Sequence, residues 1–210
     1  MDSLLVSRDG AVATLSLNRP EALNAFTPDM LKALIAAIGA LERDGQTRVI
    51  ILQGEGRAFS AGVDLKILQT TSPVAGRIAS AFDDAAQAAA ETVRKASLPV
   101  IAKVHGFCFT GALELALHCD FILTTADIKF GDTHVKWGLR PTWGMSQNLA
   151  RAIGVRRARE LSYSARTFTG AEAADWGLAN AALADRAALD AMVAARAKEI
   201  ASASRGAVGA

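Results

Sequence analysis

Two short stretches of this chain place small residues beside a carboxyl group in a way that can stabilise a developing oxyanion. The first is GEGRAFSAGVDLK, residues 54–66, which follows the apolar run RVIILQ. Glycine and alanine remove the side chains that would keep a reactant away from the backbone, and Gly62 allows a bend. The second is VHGFCFTGALELALHCD, residues 104–120, with the same order of apolar strand, glycine-bearing turn and helix start at Gly111 and Ala112. A helix start carries unpaired N–H groups and positive potential. If the turn at Gly62 and Val63 offers one N–H and Gly111 another, the two loops form a paired-donor site for one oxyanion. Glu114 lies one turn into the helix, where it can point toward the same place. On local pattern alone, the first loop also fits a surface turn. Glu114 likewise fits an exposed helix residue paired with His118 at i,i+4.

The elements that must position these loops follow from periodicity. LLVS and VATLSL read as two short strands joined at Asp9 and Gly10. Thr27 and Pro28 open a helix with an apolar stripe of Met30, Leu34, Ile38 and Leu41. RVIILQ is a buried strand. Residues 77–95 form an alanine-rich helix, and VIAKVHG supplies a further strand after Pro99. The helix GALELALH precedes strand-like FILTT and IKFG, and more helices are expected near 146–153, 156–162, 171–176 and 187–203. Repeated strand–strand–helix order with a mainly helical end argues for an α/β fold. TTSPVAG, residues 70–76, reads as a mobile loop that adapts to a substrate.

Bulk properties narrow the function classes. The chain has 210 residues, 51% hydrophobic and 21% charged, with a formal charge of +2, so nothing pulls it generally toward nucleic acid. Arg156, Arg157 and Arg159 read as a solvated helix face. Cys108 and Cys119 lie in apolar contexts and read as reduced core residues. Three scattered histidines, His105, His118 and His134, have no zinc spacing. The N-terminus lacks a signal-peptide pattern and no apolar run reaches membrane-spanning length, which leads to the expectation of a cytoplasmic protein without a membrane partner. Phosphate-loop, nucleophile-elbow and H-E-x-x-H motifs are absent.

NRPEALNAF, GRAFSAGVDLK, HGFCFTGALELALHCD and FGDTHVKWGLRPTWGMSQNLARAIG, followed by GAEAADWGLAN, resemble the enoyl-CoA hydratase/isomerase (crotonase) superfamily in order and spacing over about residues 3–203. The resemblance implies a crotonase-like spiral of strand–strand–helix units. Residues 1–185 would form the acyl-CoA-binding core, and 186–210 the start of a helical C-terminal region shortened relative to the family. It implies an acyl-CoA substrate whose thioester oxygen sits between the N–H groups of Val63 and Gly111. Asp64 would anchor the first turn. Ala22, Leu23, Ala61, Asp64, Leu65 and Lys66 match the region that holds coenzyme A.

The family's hydratases place two glutamates about the double bond. Glu114 matches the first, but His134 stands in the second slot, four residues after the phenylalanine of FGDTH. A histidine exchanges protons near neutrality, so Glu114 and His134 can divide the acid and base roles of hydration. One carboxylate alone suits an isomerase, and a histidine that orients water suits thioester hydrolysis. The reading is therefore an enoyl-CoA hydratase-like enzyme. An isomerase or thioester hydrolase is the alternative, and a non-catalytic acyl-CoA- or RNA-binding member the alternative of another class. The resemblance further implies a homotrimer or dimer of trimers and no metal or redox cofactor, coenzyme A being part of the substrate. Trp137 and Trp143, flanking Pro141, fit the acyl-pocket wall and fit core packing equally well.

Overall fold

The strand pair at the start forms as its alternation predicts. β1 (Leu4–Asp9) and β2 (Val12–Leu17) run antiparallel, from Leu4 opposite Leu17 to Asp9 opposite Val12. In this computed structural model the described residues are 2–64, 66–67, 75–78 and 80–203. Leu65 and the greater part of TTSPVAG, residues 70–74, lie outside them. α1 (Pro28–Arg43) starts where the cap chemistry places it, with the Thr27 hydroxyl accepting the Met30 N–H at 3.3 Å.

β3 (Val49–Gly54), β4 (Val100–Val104), β6 (Phe121–Thr125) and β9 (Ala181–Leu183) continue from β2 as parallel neighbours, giving a six-stranded sheet in the order β1-β2-β3-β4-β6-β9. Its central strands are apolar on successive residues because both faces are covered. Ile50, Leu52, Val100 and Ala102 face the main core with α1 and α2 (Ser80–Arg94). Val49, Ile51, Ile101 and Leu123 face the opposite way, onto Leu189, Val193 and Ala197 of α7 (Arg186–Ser202).

A second, three-stranded sheet holds β5 (Phe107–Phe109), β7 (Lys129–Gly131) and β8 (Phe168–Thr169). After β4 the chain turns a corner into β5, passes through α3 (Gly111–Ala116), returns to the first sheet as β6 and turns again into β7. The circuits β4–β5 and β6–β7 thus each add one strand to each sheet, one interstrand step further along, which is the spiral the resemblance implied. α4 (Met145–Ile153), α5 (Val155–Ser164) and α6 (Gly170–Asp175) complete the path to β9. The short strands β5, β8 and β9 carry no period of their own. They exist because a neighbouring circuit offers them a partner.

One buried side chain ties two loops together. Asn24, at φ +55, accepts the Arg19 N–H at 2.8 Å and donates to the Glu55 and Ala58 carbonyls at 2.8 Å each. Asn24→Ala strands these groups and leaves alanine in a left-handed backbone, so unfolding stability is expected to fall by about 2–3 kcal/mol, measured by urea denaturation.

Candidate active site

The second sheet decides where the chemical groups meet. Ser60 bridges Cys108 in parallel, and Cys108 in turn pairs with Phe130 of β7. Each chain leaves this layer in the same direction. Val63, Gly111 and His134 follow their paired residues by three, three and four positions. They therefore emerge at the carboxyl ends of adjacent parallel segments, where α/β layers bind ligands.

The first corner is zipped to the loop before α1. Phe26 donates its N–H to the Gly62 carbonyl at 2.7 Å and accepts the Asp64 N–H at 3.2 Å, while the Ala61 N–H reaches the Leu23 carbonyl at 2.9 Å. Since successive backbone groups along an extended segment point to opposite sides, this pairing directs the Val63 N–H away from residue 26. Gly62 sits at φ +91, and a Cβ there would stand 3.4 Å from the Gly111 nitrogen and 2.7 Å from the Phe109 carbonyl oxygen. Only glycine combines that conformation with that approach. At the second corner, Thr110 holds the uncommon pair φ +54, ψ −116, fixed by its N–H on the Gly131 carbonyl at 2.8 Å and its hydroxyl 2.5 Å from that of Thr133. Among the described residues, neither the Val63 nor the Gly111 N–H has a hydrogen-bond acceptor.

Glu114 is 1% exposed, which removes the reading of a surface residue paired with His118. Its Oε1 accepts the Trp143 and Met145 N–H groups at 2.9 and 3.0 Å. Its Oε2 lies 3.3 Å from His134 Nε2 and has no aligned hydrogen bond among the described residues. His118 instead meets the Trp143 carbonyl at 2.6 Å, and His105 the Gly56 carbonyl at 3.0 Å. Both are engaged by backbone carbonyls of neighbouring loops.

His134 is also buried, on a short 3-10 turn, His134–Trp137, directly after β7. Burial disfavours its cation, but the hydrogen bond to Asp132 and the charges of Asp132 and Glu114 outweigh that and raise its pKa to about 9. Asp132 Oδ1 stands 2.7 Å from His134 Nδ1, and Oδ2 accepts the Ser162 hydroxyl at 2.6 Å. For Asp132 too, burial opposes ionisation, yet these donors hold its pKa below the usual carboxylate range. Asp132 and Ser162 were not singled out by sequence reasoning. The aspartate was visible in FGDTH, but Ser162 reaches it only because α5 folds back over the corner.

A cavity of about 460 Å³ opens onto these corners. Ala22, Leu23, Ala61, Val63, Asp64, Thr110, Thr133 and His134 line it, with Ile78, Leu139, Trp137 and Trp143 adding apolar wall and Arg57 and Arg140 adding charge. Lys66 is not part of the lining. Asp64 is committed to the turn, accepting from Arg19 Nη1 at 2.9 Å and the Lys66 N–H at 3.0 Å, which matches the anchoring expected of it. Glu114 and Gly111 stand behind the cavity surface, the latter under the Trp143 ring. Trp143 is buried between Phe26 and Phe82, with ring centroids 6.3 and 5.9 Å away, whereas Trp137 is half exposed.

Elsewhere, Cys108 and Cys119 are free thiols, and burial pushes both up in pKa. Arg157 stacks 4.8 Å over Trp176, so the arginine run is not a uniform solvated face. Among the described residues, no group of three or more His, Cys, Asp or Glu is placed to hold a metal ion, and no helix is long and apolar enough to cross a membrane.

The sequence and the fold are similar to those of known proteins. A short-chain-enoyl-CoA hydratase from Clostridium acetobutylicum is 33% identical over 86% of this chain and 68% of its own length. The crystal structure of an enoyl-CoA hydratase from Mycobacterium smegmatis is similar with a TM-score of 0.91 and 33% identity, covering 100% of this chain and 80% of that one. A Thermobifida fusca structure in complex with acetoacetyl-CoA gives a TM-score of 0.87 at 32% identity, covering 99% of this chain and 84% of that one. A family model described as enoyl-CoA hydratase/isomerase matches residues 7–210, and the chain belongs to that family.

Proposed function

We propose that this enzyme adds water across the C2–C3 double bond of a 2-enoyl-CoA thioester. The observation that carries the reading is the pair of buried acid/base groups, with His134 on the cavity wall and Glu114 Oε2 behind it, 3.3 Å from His134 Nε2. Hydration needs one group to accept a proton from water and another to supply one to carbon, and this pair contains both. The acetoacetyl-CoA held by the Thermobifida fusca relative supports a thioester of coenzyme A as the substrate.

In this reading the Val63 and Gly111 N–H groups hold the thioester oxygen. Each such donor typically contributes about 3 kcal/mol of transition-state stabilisation. Glu114 takes a proton as the water oxygen bonds to C3. The double-bond electrons pass into the enolate under the two N–H groups, and His134 gives its Nε2 proton to C2. The proton on Glu114 then returns to His134 across their contact, restoring both. Ala22, Leu23 and Ala61 line the path of the nucleotide arm beside Arg57, whose cation suits the phosphates. Asp64 shapes that path by anchoring the turn. The reaction is redox-neutral and uses no further cofactor. Assembly into a trimer or a dimer of trimers belongs to the same proposal and is read by analytical ultracentrifugation.

The test follows loss of the conjugated-enoyl absorbance of crotonyl-CoA and identifies the product. Wild type is expected to yield the 3-hydroxyacyl thioester, and His134→Ala to lose roughly two orders of magnitude in kcat. Because the donor must carry its proton, kcat/KM is expected to fall as pH rises through about 9. Turnover of a 3-enoyl-CoA or hydrolysis of a saturated thioester, without hydration of any 2-enoyl-CoA, would move the function to isomerisation or hydrolysis.

A further inference from the structure

Asp132 does not line the cavity, yet it is 1% exposed and sits directly behind the histidine that does. A buried carboxylate is costly unless donors surround it, and this one has three. Oδ1 accepts the His134 backbone N–H at 3.3 Å and lies 2.7 Å from its Nδ1, while Oδ2 accepts the Ser162 hydroxyl at 2.6 Å. We propose that Asp132, braced by Ser162, is a positioning residue that fixes the His134 ring with Nε2 toward Glu114 and commits that nitrogen to donating a proton. The proposal rests on the hydration reading for its use in catalysis, but not for its physical content.

An ionised aspartate can only accept, so the 2.7 Å contact requires a hydrogen on Nδ1. A neutral ring would then present a bare Nε2 lone pair to Glu114 Oε2 at 3.3 Å, two acceptors facing each other. A proton on Nε2 relieves that repulsion. With Asp132 charged on the far side, that proton is best held on the ring, which then donates from both nitrogens. Among the described residues, Asp132 just after β7 and Glu114 from α3 are the charged groups that act on the ring. The hydroxyls of Ser162 on α5 and of Thr110 and Thr133 are neutral. Ser162 matters because it engages the second carboxyl oxygen and prevents Asp132 from rotating off Nδ1.

The consequence is a division of labour. Two equivalent carboxyl groups could exchange roles, whereas an imidazolium backed by a fixed carboxylate cannot act as the resting-state base. Glu114 therefore remains the base, and His134 the acid.

The experiment is a pH titration of histidine-labelled, substrate-free protein by NMR, with His134 assigned by its loss in His134→Gln. His105 and His118 serve as internal references. Wild-type His134 is expected to stay protonated through neutral pH. In Asp132→Asn its midpoint is expected to fall by about one pH unit or more, with the reference histidines unmoved. In activity, the alkaline limb of kcat/KM should move to lower pH in parallel, and kcat at pH 7 should drop roughly ten- to a hundredfold with KM little changed. Ser162→Ala should shift His134 the same way by less, and it carries the test if Asp132→Asn does not fold. An unmoved His134 titration in a folded Asp132→Asn, or in Ser162→Ala where that stands alone, would overturn the proposal. So would a lower rate with an unmoved alkaline limb, because a purely structural residue predicts that result. Absence of hydratase activity would fail the functional reading and leave the titration result intact.

Discussion

Glu114→Gln is expected to lower crotonyl-CoA hydration by about 10²- to 10⁴-fold while the protein stays folded. Glutamine keeps the size of the side chain, and its carbonyl oxygen can accept the same two N–H groups, from Trp143 and Met145, that hold Oε1 now. The 142–145 corner therefore keeps its shape, and stability should change by about 1 kcal/mol or less, within the range of a single altered hydrogen bond. The other oxygen becomes an NH₂ facing His134 Nε2, which currently lies 3.3 Å from Oε2. Two donors then face each other, so the ring is driven toward its neutral form and the variant loses both the base and the charge that helps hold the acid protonated. Stopped-flow loss of enoyl absorbance, beside circular dichroism and thermal unfolding, separates the two effects. Undiminished turnover in a folded Glu114→Gln would remove Glu114 from the mechanism and with it the hydration scheme.

The readability of this site followed the range of the interactions that build it. α1 could be placed at Thr27 and Pro28 because cap, proline and apolar stripe are all local signals, and the structure starts it at Pro28. The expected helix at 77–95 forms as Ser80–Arg94 for the same reason. β5, β8 and β9 escaped notice because two- and three-residue strands carry no period, and their partners stand a full circuit away in the chain. The two glycine loops were legible as loops, since small residues after a strand have a direct steric meaning. That they face each other depends on Ser60 pairing with Cys108, which no local pattern encodes.

Glu114 shows the same limit from the other side. Its local neighbour at i+4 is His118, and a helix considered alone would pair them. In the fold, residues 143 and 145 arrive from a later circuit and take both the carboxyl group and the imidazole. His134 was found by its slot in a family pattern, whereas its chemical state comes from Asp132 two residues away and Glu114 twenty residues back. The residue types were in the sequence. Their charges were set by packing.

The second large effect is expected at Gly111, and it tests how tightly the donor corner and the acid/base pair are joined. A methyl group at this position would overlap the Trp143 ring. That ring cannot yield by rotation of a free end, because it is wedged between Phe26 and Phe82 and its indole N–H reaches Asp83 Oδ1 at 3.4 Å. Gly111→Ala must therefore move either the Gly111 backbone, which carries one proposed oxyanion donor, or the Trp143 backbone, whose N–H holds Glu114 Oε1 at 2.9 Å. Both routes disturb the transition state. Misplacement of about 1 Å costs on the order of a hundredfold, so kcat/KM should fall by about that factor even though no chemical group is lost. Trp143→Leu keeps an apolar side chain and the backbone N–H while clearing space for the methyl. Combined with Gly111→Ala, it is expected to recover part of the rate, giving a favourable coupling in the double-mutant cycle. Strict additivity of the two losses would mean that the overlap is relieved elsewhere and that the two corners are not mechanically joined. A recovery confined to the double variant would place the limit on the catalytic geometry in one steric contact, between an alanine methyl and an indole ring.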